Sequence, residues 1–277
     1  RYNYSILFFD TLLKILIPFL GLYTNNLLYA SLILFILSFF KTFFLYIIFK
    51  NQSKNNLNLK INLFDIKLSI KIFRLSLSYH LDNISHIIRN NGFIILIGIF
   101  FSPVVIGLIS TVRTLFYFLP IRFLDILNST LFFEFSKMHG KNDIFSLKKI
   151  FKSHIYISIF LLTIFSTLSL LFGKLVYEFW TNNEYNLSLN LLILIIIDTV
   201  LFNFFNSIET FIKSINKFFY SSLAKTFLSI LTILICYVLF TKGYSYLSYF
   251  ILNIIASISV LIFVSINTLK IFKKYHK

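Results

Sequence analysis

The sequence predicts an all-α membrane protein, a polytopic helix bundle with about eight transmembrane helices in this chain. Hydrophobic residues make up 58% of its 277 residues and charged residues only 13%, whereas about one quarter of a soluble domain is charged. A helix needs about 20 mostly apolar residues to cross a bilayer, and runs of roughly this length recur along the chain. The predicted spans are residues 5–23, 27–49, 72–101, 105–133, 154–173, 187–212, 218–240 and 244–269.

Polar links between the spans divide the chain into two predicted lobes. The chain begins at Arg1, immediately before a span and without a starting Met. We therefore expect residues 1–50 to be the last two helices of a truncated N-terminal lobe. The stretch 51–70 is rich in Asn and Lys and is the predicted cytoplasmic linker between the lobes. Residues 71–277 are the predicted C-terminal lobe of six helices.

The distribution of lysine and arginine predicts how the spans are oriented. The stretches 50–71 and 137–152 and the tail after residue 269 are rich in lysine, and they alternate with links that carry only Lys174 and Lys242. Cytoplasmic loops of membrane proteins carry the excess of Lys and Arg, so the C-terminus is predicted to be cytoplasmic. The formal net charge of +16 therefore reflects loop topology, and no nucleic-acid partner is expected.

A polar, charged stripe interrupts the span at 72–101 and is the strongest functional signal in the sequence. Asp82 and His86 are four residues apart, Arg89 is seven residues after Asp82, and Asn90 follows it; this spacing places them on one face of a helix. Ionisable groups at membrane depth are costly and usually face a bundle interior or a water-filled cavity. The stripe predicts an anion site at Arg89 and Asn90 with ion coupling at Asp82 or His86. An Asp–Arg pair that neutralises itself and a solvated juxtamembrane segment are the structural alternatives.

Two further charges lie deep in predicted spans. Arg113 is about two turns from the end of its span, deeper than snorkelling to the interface usually permits, so we assign it to the same anion site. Asp198 lies in the apolar run LILIIIDTVLF; it is either an ion-coupling carboxylate or a hydrogen-bonded carboxyl inside the bundle. Arg122 and Asp125 are three residues apart, and pairing or interfacial anchoring is the expectation for them. Lys225 is expected to be an anchor near a span end, and His154 to lie in a loop or at a span end.

The sequence contains no signature of an enzyme. It has no Walker A, GxSxG, HExxH or glycine-rich nucleotide motif, and seven glycines in all are few for phosphate-cradling loops. Cys236 is the only cysteine, so zinc-type Cys spacings are absent. We expect no catalytic residue, no metal site and no cofactor.

The stretch from Gly107 to Asp143 resembles a known family of transporters. It reads GLISTVRTL, then a helix, then FFEFSKMHGKND. This pattern is similar to the Wzx-like oligosaccharide flippases, a branch of the MOP (multidrug/oligosaccharidyl-lipid/polysaccharide) exporter superfamily. Phe133 stands where the family has proline before the glutamate of the cytoplasmic loop. The matching residues are Arg113, Thr114, Leu115, Glu134, Ser136, Gly140 and Asp143.

The resemblance implies a MOP-like lobe in the cytoplasmic (inner) membrane of a bacterium. It implies alternating access that moves an undecaprenyl-diphosphate-linked oligosaccharide across the membrane for O-antigen or capsule synthesis, with coupling to an ion gradient. Membrane lipids and a polysaccharide polymerase are the other expected partners. The alternatives are a drug or small-molecule antiporter of the same superfamily, a membrane glycosyltransferase or polymerase, and a purely structural scaffold.

Overall fold

The computed structural model describes residues 66–274, together with Phe39 and Phe43, and it is helical over nearly all of this range. Ile66–Lys277 forms one compact unit. Two short π-helical turns each lie between two α-helices, so that six continuous rods result. The elements are α1 (Ile66–Ile87), the first π turn (Ile88–Gly92), α2 (Phe93–Phe100), α3 (Pro103–Arg113), the second π turn (Thr114–Phe118), α4 (Leu119–Gly140), α5 (Ile144–Trp180), α6 (Leu189–Ser214), α7 (Phe219–Thr241) and α8 (Leu247–Lys274).

Five helices of the described range are long and apolar enough to cross a membrane, which fits a multi-pass membrane protein. The predicted spans at 5–23 and 27–49 lie outside the described residues. The predicted span at 72–101 is helical but is not among the five, because charged and amide side chains interrupt its first half. The spans that qualify are Pro103–Gly140, Ile144–Trp180, Leu189–Ser214, Phe219–Thr241 and Leu247–Lys273.

The helix α6 is the centre of the bundle. In its most apolar window 61% of the residues are buried, compared with 17–33% in the other four spans. It packs against α4, α5 and α8 and contributes to two apolar clusters, one around Phe93 and Ile195 and one around Phe135 and Phe211. The carboxylates of α6, Asp198 and Glu209, are therefore shielded from water by the neighbouring helices.

Four helices end in the same backbone motif. In each case the residue after the C-cap has a positive φ, and two N–H groups return to carbonyls of the last turn: Asn142 (φ 54), Asn182 (φ 48), Asn216 (φ 58) and Gly243 (φ 82). This is the Schellman arrangement, in which glycine is preferred and asparagine is the best tolerated alternative. Three asparagines of the described range, Asn142, Asn182 and Asn216, thus serve to end helices.

We predict that Asn142→Val lowers the free energy of unfolding by about 1–2 kcal/mol, because a β-branched residue is strained in the left-handed region. The N–H of Asp143 donates to the Met138 carbonyl at 3.1 Å only in that conformation. Denaturation in detergent micelles measures the change, and Asn142→Gly serves as the matched control that keeps the motif. Equal stability of the Val and Gly variants would contradict the prediction.

Candidate functional site

The first π turn displays two backbone carbonyls to neighbouring helices. A π turn interrupts the regular hydrogen-bond ladder and is frequent at functional sites. The Tyr249 hydroxyl donates to the Arg89 carbonyl at 2.6 Å, and Arg113 Nη1 donates to the Asn90 carbonyl at 3.1 Å. Arg113 Nη2 also donates to the Asn90 side-chain oxygen at 2.7 Å. The structure thus brings Asn90 and Arg113, both predicted for the anion site, into direct contact.

The second π turn, Thr114–Phe118, lies just before Pro120 and accepts a hydrogen bond from a side chain of α6. Pro120 has no N–H, so the Phe116 carbonyl one turn before it lacks its usual helical donor. The Thr199 hydroxyl lies 2.9 Å from the Phe116 carbonyl and 2.7 Å from the Ile195 carbonyl of its own helix. This buried threonine therefore links the second π turn, which interrupts the α3–α4 rod, to the central helix α6.

Arg113 is a buried cation for which the described residues provide no carboxylate within ion-pair distance. It is 5% exposed, and aromatic rings surround its guanidinium, with centroids 5.6 Å away for Phe93, 5.3 Å for Tyr117 and 5.2 Å for Phe118. Cation–π attraction offsets part of the desolvation cost. The positive charge itself remains uncompensated by this part of the chain.

Arg89 and Asp198, which the sequence places in separate spans, form a buried ion pair. Arg89 Nη2 lies 2.5 Å from Asp198 Oδ1, and Arg89 Nη1 donates to the Ser257 hydroxyl at 3.1 Å. The guanidinium lies over the Phe202 ring at 4.3 Å, while its Nε has no hydrogen-bond partner among the described residues. Asp198 is therefore a salt-bridged carboxylate, and the pairing joins the first π turn to α6 and α8.

A second ionic cluster consists of two carboxylates and two lysines, Asp82, Glu209, Lys213 and Lys225, which we name the charged quartet. Lys213 Nζ lies 2.7 Å from Asp82 and 3.0 Å from Glu209. Lys225 Nζ lies 2.8 Å from Glu209 and also contacts Asp82. Each lysine thus bridges both acids, and the charged quartet ties α1 to α6 and α7.

The predicted common face of Asp82, His86 and Arg89 is divided between these two clusters. His86 Nε2 lies 3.8 Å from Asp82 Oδ1, so these two residues remain neighbours. Asp82 takes its partners from α6 and α7, and Arg89 takes Asp198 from the other end of α6. The alternative of an Asp82–Arg89 pair that neutralises itself is therefore wrong.

A polar cavity of about 290 Å³, here called the central cavity, opens beside the two clusters. Its lining includes His86, Lys213 and Asn90, and it also includes Arg122 and Asp125, which are three residues apart on α4. The sequence assigned Arg122 and Asp125 to anchoring at the cytoplasmic surface. The structure places them on the same cavity as His86 and Asn90.

The charged groups of the two clusters, taken together with Arg113, do not balance in number. Four cations lie in these clusters, Arg89, Arg113, Lys213 and Lys225, and three carboxylates, Asp82, Asp198 and Glu209. Buried charges in native proteins are normally paired, since an isolated charge loses its hydration without compensation. The surplus cation is Arg113, and it lies beside Asn90 of the central cavity.

Lys225 and His154 are buried in the bundle, which the sequence did not predict. Lys225 is 6% exposed and belongs to the charged quartet, so the expectation of span-end anchoring is wrong. His154 is fully buried in α5, where its Nε2 lies 2.9 Å from the Asn128 side-chain oxygen; it is neither in a loop nor solvated. Glu209 and Lys213 are four residues apart on one helix, and this spacing was the available signal for the charged quartet.

The family-like motif at 133–143 forms a helix end, where the resemblance predicted a loop. Glu134, Ser136 and Gly140 all lie within α4, which continues to Gly140. The Ser136 hydroxyl donates to the Ser214 carbonyl at the end of α6, at 3.0 Å. Only three residues separate α4 from α5, so the expected cytoplasmic loop is a tight helix–helix turn.

Asp143 begins α5 as its N-cap. Its carboxylate accepts a hydrogen bond from the Ser146 backbone N–H at 3.0 Å, which satisfies one of the free donors of the first turn. The hydrogen bonds from Ser146 lower the pKa of Asp143 below its ordinary value. The N-cap hydrogen bond is sufficient to explain an aspartate at this position of the motif.

Comparison of the chain with protein-family models, curated proteins and solved structures finds no match. Among residues 66–274 no group of three or more His, Cys, Asp or Glu side chains has an arrangement that could hold a metal ion. The site offers a polar cavity in an apolar bundle, a buried surplus cation, and two ion-paired clusters that join four helices.

Proposed function

We propose that this chain forms one lobe of a membrane transporter that flips an undecaprenyl-diphosphate-linked oligosaccharide across the cytoplasmic membrane of a bacterium, for O-antigen or capsule synthesis. The single observation that carries the proposal is the buried guanidinium of Arg113 without a carboxylate partner in the described range, next to Asn90 of the central cavity. The resemblance of residues 107–143 to oligosaccharide flippases supports the same class.

The chemistry of the substrate matches this arrangement. A diphosphate carries negative charge on several oxygens, and the planar fork of a guanidinium pairs with phosphate oxygens in a bidentate manner. Arg113 and Arg89 supply the guanidinium groups and Asn90 an amide donor. The polyprenyl tail of the substrate stays in the bilayer, so only the head group has to enter the central cavity.

Ion coupling in this proposal uses the two carboxylate clusters. Asp198 and an arriving phosphate compete for Arg89, and a released Asp198 carboxylate in an apolar site takes up a proton. Asp82 belongs to the charged quartet and His86 lies beside it, so binding a proton or cation at either residue would change the charge that holds α1 to α6 and α7. Binding of an ion is thereby linked to movement of α1 relative to α6 and α7, and alternating access requires such a link.

The lining of the central cavity weighs against the competing functions. A cationic drug would need an acidic cavity. Three basic side chains line the central cavity, His86, Arg122 and Lys213, whereas Asp125 is the one acidic residue of its described lining. For a glycosyltransferase or polymerase, the described range offers no long loop in which an active site is usually built; the link between α5 and α6 spans residues 181–188.

The decisive variant is Arg113→Gln, expressed in a producing bacterium that lacks its own copy. Loss of a charge-assisted hydrogen bond is worth about 1.5–3 kcal/mol, so we expect export of surface polysaccharide to fall roughly tenfold to hundredfold. Lipid-linked oligosaccharide should accumulate in the inner leaflet. Protein level and thermal unfolding of the variant are measured in parallel.

The controls for this experiment separate charge from shape. Arg113→Lys keeps the charge without the planar fork and should retain part of the export. Lys149→Gln removes an exposed cation of α5 and should leave export unchanged. Normal export by a stably folded Arg113→Gln protein would refute the anion site.

A further inference from the structure

A groove of about 610 Å³ lies at one end of the bundle, away from the central cavity; we call it the end groove. The beginning of α1, the turn between α6 and α7, and the last part of α8 form its walls. None of its lining residues also lines the central cavity. Its polar lining comprises Lys71, Arg74, Ser78, Asn216, Lys217 and Asn267.

The end groove is cationic. Three basic side chains, Lys71, Arg74 and Lys217, line it, and its lining within residues 66–274 includes no carboxylate. The Arg74 guanidinium lies over the rings of Phe219 at 4.7 Å and Tyr220 at 5.3 Å, and it forms no ion pair with a carboxylate of residues 66–274. Lys71 and Arg74 are three residues apart on one helix, where like charges repel. An anion between them would relieve that repulsion.

Apolar surface surrounds these cations. Exposed fractions are 54% for Leu68, 58% for Ile72 and 62% for Tyr220, all of which line the end groove. A site for a soluble anion has no use for such walls, because contact with a hydrated ion gains nothing from apolar area. A molecule that carries both a phosphate and hydrocarbon chains satisfies the cations and the apolar walls together.

The location of the end groove agrees with this chemistry. It includes Lys71 of the stretch 50–71 and Ile271 of the tail after residue 269, both on the lysine-rich side that the sequence predicts to be cytoplasmic. Basic pockets between transmembrane helices on that side attract anionic head groups. Aromatic and cationic residues together are also typical of the membrane interface.

We propose that the end groove binds the head group of an anionic phospholipid, with the phosphate between Lys71 and Arg74 and the acyl chains along the exposed apolar face of α1. Lys217 and the amides of Asn216 and Asn267 complete the polar side of the site. The proposal requires only a multi-pass membrane protein, and it is independent of the flippase function.

The test compares two lipids on the full-length chain purified in a neutral detergent. Phosphatidylglycerol and phosphatidylcholine with identical acyl chains are added in turn, and native mass spectrometry and thermal unfolding report binding. Each Lys or Arg near a membrane surface contributes enough attraction that two of them imply roughly tenfold or stronger preference for phosphatidylglycerol. The variant K71Q/R74Q should lose this preference.

A matched variant, K141Q/K149Q, removes the same charge from exposed positions outside the end groove and should keep the preference. Equal loss in both variants would mean unspecific charge attraction and would overturn the proposal. Equal binding of the two lipids by the unmodified chain would overturn it without reference to any variant. Displacement of phosphatidylglycerol by millimolar inorganic phosphate would overturn it in favour of a soluble anion. Arg74→Gln alone replaces the double variant if the latter fails to fold.

Discussion

Replacing Lys225 with methionine is expected to lower the free energy of unfolding by about 3–5 kcal/mol, because two carboxylates then share one lysine as their counter-charge. Lys225 is 6% exposed and contacts both Asp82 and Glu209. In its absence Lys213 alone faces two carboxylates. Methionine fills similar space, so the loss reports the charge and not a cavity.

The expected loss is measured by denaturant titration in detergent micelles with helicity as the readout. The double variant Lys225→Met/Glu209→Gln removes one charge of each sign and leaves Lys213 with Asp82 at 2.7 Å. Its loss of unfolding free energy should be smaller than the sum of the losses of the two single variants, since the effects of mutations within one ionic network are not additive.

An exposed pair offers the control for this prediction. Lys174 lies 3.6 Å from Glu178 and its side chain is 61% exposed. Surface pairs contribute about 0–1 kcal/mol, so Lys174→Met should change little. If Lys225→Met and Lys174→Met are equally stable, the charged quartet has no structural role.

Replacing Arg89 with methionine is expected to be similarly damaging, with a loss of about 3–5 kcal/mol. Asp198 is 2% exposed, and Arg89 is the only basic residue of the described range within ion-pair distance of it. The polysaccharide phenotype of an Arg89 variant would therefore mix instability with loss of substrate binding. For this reason Arg113 is the cleaner position at which to test the anion site.

The double variant Arg89→Met/Asp198→Leu separates the two effects. Replacing both members of a buried pair with apolar residues is often neutral or stabilising, so the double variant should unfold near the unmodified protein. Export should remain low in it if Arg89 also binds the diphosphate. Full recovery of both stability and export would assign the pair a purely structural role.

The positions of the helices followed from local pattern. Apolar runs predicted the spans that the structure places at α5 to α8. The helices α6 and α7 begin and end within two residues of the predicted spans, whereas the ends of α5 and α8 differ from them by several residues. The helix α5 runs from Ile144 to Trp180, well beyond the predicted 154–173, because its first turns are amphipathic and carry lysines. Hydropathy measures the apolar part of a helix, while helix ends depend on caps such as Asp143 and Asn142.

The sequence identified most residues of the candidate site, but it predicted only part of how they are arranged in space. Charges within apolar runs identified Asp82, His86, Arg89, Arg113 and Asp198, since their cost at membrane depth demands compensation. Their partners lie far away in sequence, 109 positions for Arg89 and Asp198 and 143 for Asp82 and Lys225. Helical periodicity assigns a residue to a face and carries no information about which helix covers that face.

The sequence by itself determined the class of this protein, an all-α bundle with helices that can span a membrane, and the buried charges at its centre. Both properties depend on composition along one segment. Only the tertiary structure decided that Arg89 is neutralised by Asp198, that Lys225 is a core residue, and that Arg113 remains without a carboxylate in the described range. These are properties of how α1, α3, α6 and α7 pack, because electrostatic energy depends on distances between side chains in space.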